Sequence, residues 1–444
     1  MRQPARGIVK WGSERMNAHT AAAPRSSNLT SVLTVGLLFF IFGFVTWLNG
    51  PLITFVKLAF DLDDINAFLV PMAFYLSYFF LALPSSWILK RTGMKKGMSL
   101  GLFVMALGAL AFGQFATMRI YPGALTGLFV IGAGLSLLQT AVNPYISILG
   151  PIESAAQRIS VMGIANKVAG MLAPLLFASL VMQNISAFGD QVAQAGAAER
   201  IALLNEFAAK VHMPYLMMAG VLAVLGVWIL RSSLPEIRAS EANRDDGDNA
   251  PGAASRGILS FPHLWLGVLC LFVYVGVEVM AGDAVGTYGQ SFHLPIDVTK
   301  YFTTYTLGAM LLGYIAGFIL VPKYVSQQRY LAFSAILGAL LCVGAYLTTG
   351  YTSVEFVFAL GFANAMMWPA IFPLAIRGLG RFTELGSAFL IMGIAGGAVI
   401  PQLFAHLKSH YDFQAVFCAL MLPCYLYIFY YAVRGYAAGM RRAA

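Results

Sequence analysis

Residues Leu137-Leu138-Gln139-Thr140-Ala141-Val142-Asn143-Pro144-Tyr145-Ile146-Ser147-Ile148-Leu149-Gly150-Pro151 lead, across a short polar link, into Arg158-Ile159-Ser160-Val161-Met162-Gly163-Ile164-Ala165-Asn166-Lys167. Each part belongs to an apolar run long enough to cross a bilayer, so the stretch reads as the return between two membrane-spanning helices. Gln139, Asn143, Asn166 and Lys167 fall inside those runs. In hydrocarbon a polar side chain without a partner costs free energy, so such groups face a protein-lined or watery cavity. Neutral amides present both donors and an acceptor, which suits a polyhydroxylated ligand.

Working outward, the same pattern fills the chain. Of 444 residues, 59% are hydrophobic and only 11% charged, a balance that excludes an ordinary soluble domain. The apolar runs recur end to end, which defines a polytopic membrane protein. The net charge of +9 is read as loop charge at a membrane surface, and no nucleic-acid partner is expected. Cys270, Cys342, Cys418 and Cys424 all lie in apolar segments without metal-ligand or redox spacing, so they read as small buried hydrophobes. No nucleophile–base pair, phosphate loop or metal motif is present, which leaves an enzyme reading without support. Neither a cofactor nor a structural metal is expected.

A crossing needs about 20 apolar residues. On that ruler helices are predicted near 30–56, 67–89, 97–117, 123–148, 159–183 and 211–231, then near 263–285, 300–320, 329–349, 354–376, 385–407 and 413–434. Residues 1–29 read as a disordered basic tail, because the apolar run after them is too long for a cleaved signal peptide. The N-terminal half spans 30–231, and a charged linker at 232–260 carries Arg238, Glu241, Asp245, Asp246 and Asp248. The C-terminal half covers 261–435, with a short tail at 436–444. The outer loop 184–210 is longer than its neighbours and has room for a short surface helix.

Basic residues set the orientation. If both termini are cytoplasmic, the outer loops carry only Arg119, Arg200, Lys210, Lys300 and Lys408. Lys57 and Lys167 lie in or at the edge of helices, and the rest of the 28 lysines and arginines falls on the inner side. An internal repeat supports the two halves. Met162-Gly163-Ile164-Ala165 followed by Pro174 and Phe177-Ala178 in helix five returns in helix eleven as Met392-Gly393-Ile394-Ala395, Pro401 and Phe404-Ala405. Copies six helices apart fit parallel repeats about an axis along the membrane normal. Helices four and ten echo each other through Asn143-Pro144 and through Asn364, Trp368-Pro369 and Pro373, where proline frees backbone carbonyls.

The architecture and the loop Lys90-Arg91-Thr92-Gly93-Met94-Lys95-Lys96 resemble the major facilitator superfamily. More specific are Thr46-Trp47-Leu48-Asn49-Gly50, Ala73-Phe74-Tyr75, Gln139 to Pro144, Leu149-Gly150-Pro151, Gly276-Val277-Glu278-Val279 and Trp368-Pro369. Together these are similar to the fucose–galactose–glucose:proton symporter family, in the branch holding bacterial glucose/galactose and N-acetylglucosamine permeases. The resemblance implies an all-α major facilitator fold, with twelve transmembrane helices in two pseudo-symmetric six-helix halves. It also implies a place in the bacterial cytoplasmic (inner) membrane. Two departures stand out. Where the fucose-type members carry an Asp in helix one and a Glu in helix four, this chain has Gly50 and Gln139. Asn166 falls on the family's polar position in helix five, so a sugar contact is implied there.

The remaining intramembrane ionisable groups are Lys167, Glu278 and, near the outer end of helix seven, Asp283. Lys167 lies about 12 Å above the inner end of its helix, too deep to snorkel out easily. Either a buried Lys167–Glu278 or Lys167–backbone contact is purely structural, or Lys167 takes the electrostatic place of a cation while Glu278 is the exchangeable carboxylate or sodium ligand. Trp47 and Trp368 are the leading aromatic candidates for stacking on a pyranose, with Tyr75, Tyr78, Tyr145 and Tyr274 behind them. The expected substrate site is therefore Trp47, Asn49, Gln139, Asn143, Asn166, Asn364 and Trp368, with Lys167 and Glu278 for charge. The expected activity is import of a neutral hexose or N-acetylhexosamine by alternating access, coupled to H+ or Na+, by a monomer in the lipid bilayer. The alternatives are a facilitative sugar uniporter and, further off, a membrane sugar sensor.

Overall fold

Within hydrocarbon every backbone N–H and C=O has to be satisfied inside its own segment, so the apolar runs close into helices. The computed structural model describes residues 25–148, 155–232, 234 and 257–440. Among these, 12 helices are long and apolar enough to cross a membrane, in agreement with the twelve expected. Helices one to six are Leu33–Ala59, Asp64–Thr92, Met94–Thr117, Tyr121–Ile148, Ala155–Leu180 and His212–Arg231. Helix seven is Pro262–Gly282, continued by Val285–Ser291. Helices eight to twelve are Ile296–Leu320, Gln327–Leu347, Gly350–Ile376, Gly380–Leu407 and Phe413–Val433. With an even number of crossings both chain ends share one face, here the terminal face; the opposite one is the far face. Residues 25–29, expected in the disordered tail, instead open the helix Arg25–Thr46, because the polar stretch there continues the helical hydrogen bonding of the apolar run. Residues 1–24, most of the linker at 232–260 and the Leu149-Gly150-Pro151 motif lie outside the described residues.

The loop at 184–210 holds two surface helices on the far face, Ile185–Gln194 and Ala197–Ala209. Helices six and nine turn most of their surface outward, with Met217, Val224, Phe333 and Leu340 exposed. Exposed apolar side chains of this kind are what a lipid-facing surface presents. All four cysteines are free, and three of them are buried.

Several crossings are interrupted, and three of the breaks matter for the cavity. Helix one turns at Trp47-Leu48 between Arg25–Thr46 and Asn49–Ala59. Helix seven breaks at Asp283-Ala284, and helix ten at Ala365-Met366, just ahead of Trp368-Pro369. Helix four, by contrast, runs unbroken through Asn143-Pro144. The two repeat copies also differ. Met162 to Ala165 is regular α-helix, whereas Gly393–Ala395 tightens into a 3-10 turn. There Gly393 and Gly396 press against the helix-seven backbone: a Cβ at Gly393 would lie 3.0 Å from the Val268 carbonyl, and one at Gly396 2.6 Å from the Phe272 carbonyl carbon.

The two halves meet along helix five against helix eight and helix two against helix eleven. Polar contacts gather on the far side of this seam. Lys408 reaches Asp64, which also holds Lys57. The Gln402 amide donates to the Ile65 carbonyl at 3.1 Å, Lys300 to the Met182 carbonyl at 3.0 Å, and the Ser186 N–H to Asp297 at 3.1 Å. The far face is thus closed by contacts that bridge the halves.

Candidate functional site

A central cavity lies between the halves. From the N-terminal half it is lined by Trp47, Tyr75, Tyr78, Gln139, Asn143, Asn166 and Lys167, and from the other by Tyr274, Glu278, Tyr314 and Trp368. Five of the seven expected substrate residues and both expected charged residues therefore come together. Asn49 and Asn364 are not in the lining. Asn49 is fully buried beyond the helix-one turn, and Asn364 accepts a hydrogen bond from the Tyr425 hydroxyl at 2.9 Å in the packing of helices ten and twelve.

The break in helix one carries the Trp47 ring into the cavity wall, where its indole Nε1 donates to the Asn166 side-chain oxygen at 3.3 Å. The Asn166 amide nitrogen donates to the Phe39 carbonyl at 3.2 Å, so both ends of the amide are oriented from helix one. Two glycines make this approach possible. A Cβ at Gly43 would sit 2.8 Å from the Asn166 Cα, and one at Gly170 2.5 Å from the Trp47 ring. Small residues let helix backbones come this close in membranes. Elsewhere in the lining the Gln139 amide donates to the Tyr78 hydroxyl at 3.0 Å, which leaves its carbonyl oxygen as an acceptor.

Lys167 is 4% exposed, and its Nζ lies 3.0 Å from Glu278 Oε1. The ammonium also stands 4.2 Å from the Trp47 ring centroid and 5.8 Å from that of Tyr314. Such distances fit cation–π attraction on top of the ion pair. The buried Lys167–Glu278 contact weighed in the sequence is therefore present, and it joins helix five to helix seven across the seam. Trp368 stacks on Phe372, with ring centroids 5.9 Å apart.

Tyr314 was not among the sequence candidates. It shows no polar spacing on helix eight, and its place is set by Gly163, whose missing side chain its ring occupies. At Gly50 a side chain is excluded for a similar reason: Thr303 of helix eight fills the space, 3.3 Å from where a Cβ would stand by its own Cβ. Beside it, Asp283 accepts a hydrogen bond from the Tyr75 hydroxyl at 3.0 Å.

Two halves of membrane-spanning helices clasping a polar and aromatic cavity between them define a multi-pass integral membrane transporter. The chain belongs to the Major Facilitator Superfamily, whose family profile matches residues 35–401. It is 32% identical over 422 residues to a glucose/galactose transporter of Brucella abortus biovar 1, covering 94% of this chain and 97% of that protein. It is 28% identical over 380 residues to the L-fucose-proton symporter of Escherichia coli K12, covering 84% and 85%. The crystal structure of the transporter FucP in the outward conformation superposes with a TM-score of 0.74 at 24% identity, covering 91% of this chain and 98% of that one. The family and these relatives are transporters and not enzymes.

Proposed function

We propose that this protein imports a neutral hexose or N-acetylhexosamine by alternating access, coupled to a proton or sodium gradient. The observation that carries the substrate class is the pairing of Trp47 with Asn166 in one cavity with Gln139 and Trp368. Amides held in fixed orientation match sugar hydroxyls, and indole faces match the apolar face of a pyranose. The names of the relatives, glucose/galactose transporter and L-fucose-proton symporter, support the same class. The far-side contacts between the halves give alternating access a closed state to alternate from. The concentration of basic residues on the terminal face supports cytoplasmic termini in a bacterial inner membrane.

A facilitative uniporter is the second reading, favoured by the neutralisation of Glu278 by Lys167 and by Gly50 and Gln139, neither of which carries an ionisable side chain. Uptake of labelled D-glucose, D-galactose and N-acetylglucosamine into sealed vesicles decides between them, with a proton gradient, with sodium and with neither. Uphill accumulation under one gradient supports symport, equilibration alone supports the uniporter, and absence of counterflow with every sugar sinks both.

A further inference from the structure

Asp283 is the buried carboxylate for which nothing so far supplies a role. It sits at the break in helix seven, 2% exposed. One oxygen accepts from the Tyr75 hydroxyl of helix two at 3.0 Å, and the other, Oδ1, is buried without a hydrogen-bond partner. Four groups face it: the Tyr75 hydroxyl, the Gly50 backbone of helix one, Glu278 one turn back on its own helix, and Lys167 of helix five. Lys167 is the single cation among them, and it is held by Glu278 at 3.0 Å. Among the described residues no ion pair involves Asp283.

The two intramembrane carboxylates are therefore in different situations. Glu278 has a dedicated counter-charge, so the pair is neutral without a proton. Asp283 has the Tyr75 hydroxyl, the Gly50 backbone facing it and no counter-charge of its own, and burying a charged carboxylate so sparsely matched is far costlier than burying the neutral acid. Tyr75 and Asp283 also belong to opposite halves. Parting the halves on the far side breaks their bond and brings the carboxyl to water; closing them seals it again beside the cavity that Tyr75 lines.

We propose that Asp283 carries the coupling proton of this transporter, with Tyr75 as the partner that positions it in the far-closed state. The inference rests on the symport reading above. Asp283 takes a proton from far-side water when open, crosses with it as the neutral acid, and returns it to cavity water on the terminal side. Each cycle moves one proton and leaves the carboxyl as it began. Lys167 and Glu278 stay paired in charge throughout and contribute no proton.

The test uses the full chain in proteoliposomes with labelled D-glucose and D-galactose. Wild type is expected to accumulate sugar under an inward proton gradient and to alkalinise a weakly buffered exterior when sugar is added. Asp283→Asn is expected to lose both while retaining counterflow, and Asp283→Glu to recover both. Proton-driven accumulation by Asp283→Asn at the wild-type level overturns the inference and leaves symport standing. Wild-type accumulation with sodium alone overturns it too, while wild-type equilibration without accumulation overturns the symport reading itself. Should Asp283→Asn not insert, Tyr75→Phe is read instead. Removing the hydroxyl that stabilises the anion is expected to shift the pH profile of proton-driven uptake upward, and an unshifted profile overturns the proposal.

Discussion

The ammonium of Lys167 lies 3.0 Å from the carboxylate of Glu278, and this buried contact crosses from one six-helix half to the other. Breaking a buried pair from one side leaves a charge without its partner, at a cost of about 3–5 kcal/mol. Glu278→Gln is therefore expected to lower the thermal midpoint of the detergent-solubilised protein by several degrees. Lys167→Met combined with Glu278→Gln is expected to regain most of that loss. If the double variant is no more stable than the single one, the pair is not what holds these helices together.

Gln139 and Asn166 both line the cavity with their amides, and Asn166 also orients Trp47. Replacing either by Ala leaves ligand hydroxyls unpaired at roughly 1–3 kcal/mol each, or about 5- to 150-fold in affinity. Asn166→Ala is expected to show the larger loss, since the indole is released as well. Titration calorimetry with the transported sugar measures both, and unchanged affinity in the two variants rules this cavity out as the sugar site.

Lys408 bridges to Asp64 across the far face, where Lys57 completes the cluster. Lys408→Ala removes the arm contributed by the C-terminal half, so the far-open state gains population. A cysteine at Thr303, 4% exposed in the closed arrangement, then reports the opening. With the native cysteines replaced, its labelling by an impermeant thiol reagent from the far side is expected to rise several-fold in the Lys408→Ala background. Equal labelling rates with and without Lys408 mean that the other seam contacts close this face alone.

The basic-residue distribution predicts that the loop around Gly93 is cytoplasmic. A cysteine at Thr92 is expected to react with an impermeant reagent in inside-out vesicles and to be protected in intact cells. Labelling of intact cells reverses the orientation, and with it the direction named import.

By itself the sequence determined the crossings, because the need to bury backbone polar groups in hydrocarbon acts on each apolar run locally. Length and hydropathy therefore predicted all twelve helices, and the Met162 and Met392 repeats placed the two halves. Polar residues inside those runs were visible for the same local reason, and Trp47, Gln139, Asn143, Asn166, Lys167, Glu278 and Trp368 do share one cavity. Which groups became partners was decided only by how helices from distant parts of the chain pack. Lys167 and Glu278 are 111 residues apart, and Tyr75 and Asp283 are 208 apart. Asn49 and Asn364 look like their neighbours in sequence, yet the helix rotations turn them out of the cavity lining. Gly50 reads as a missing carboxylate on a linear chain; in three dimensions it is the space that Thr303 occupies, with the Asp283 carboxyl brought up beside it from the other half.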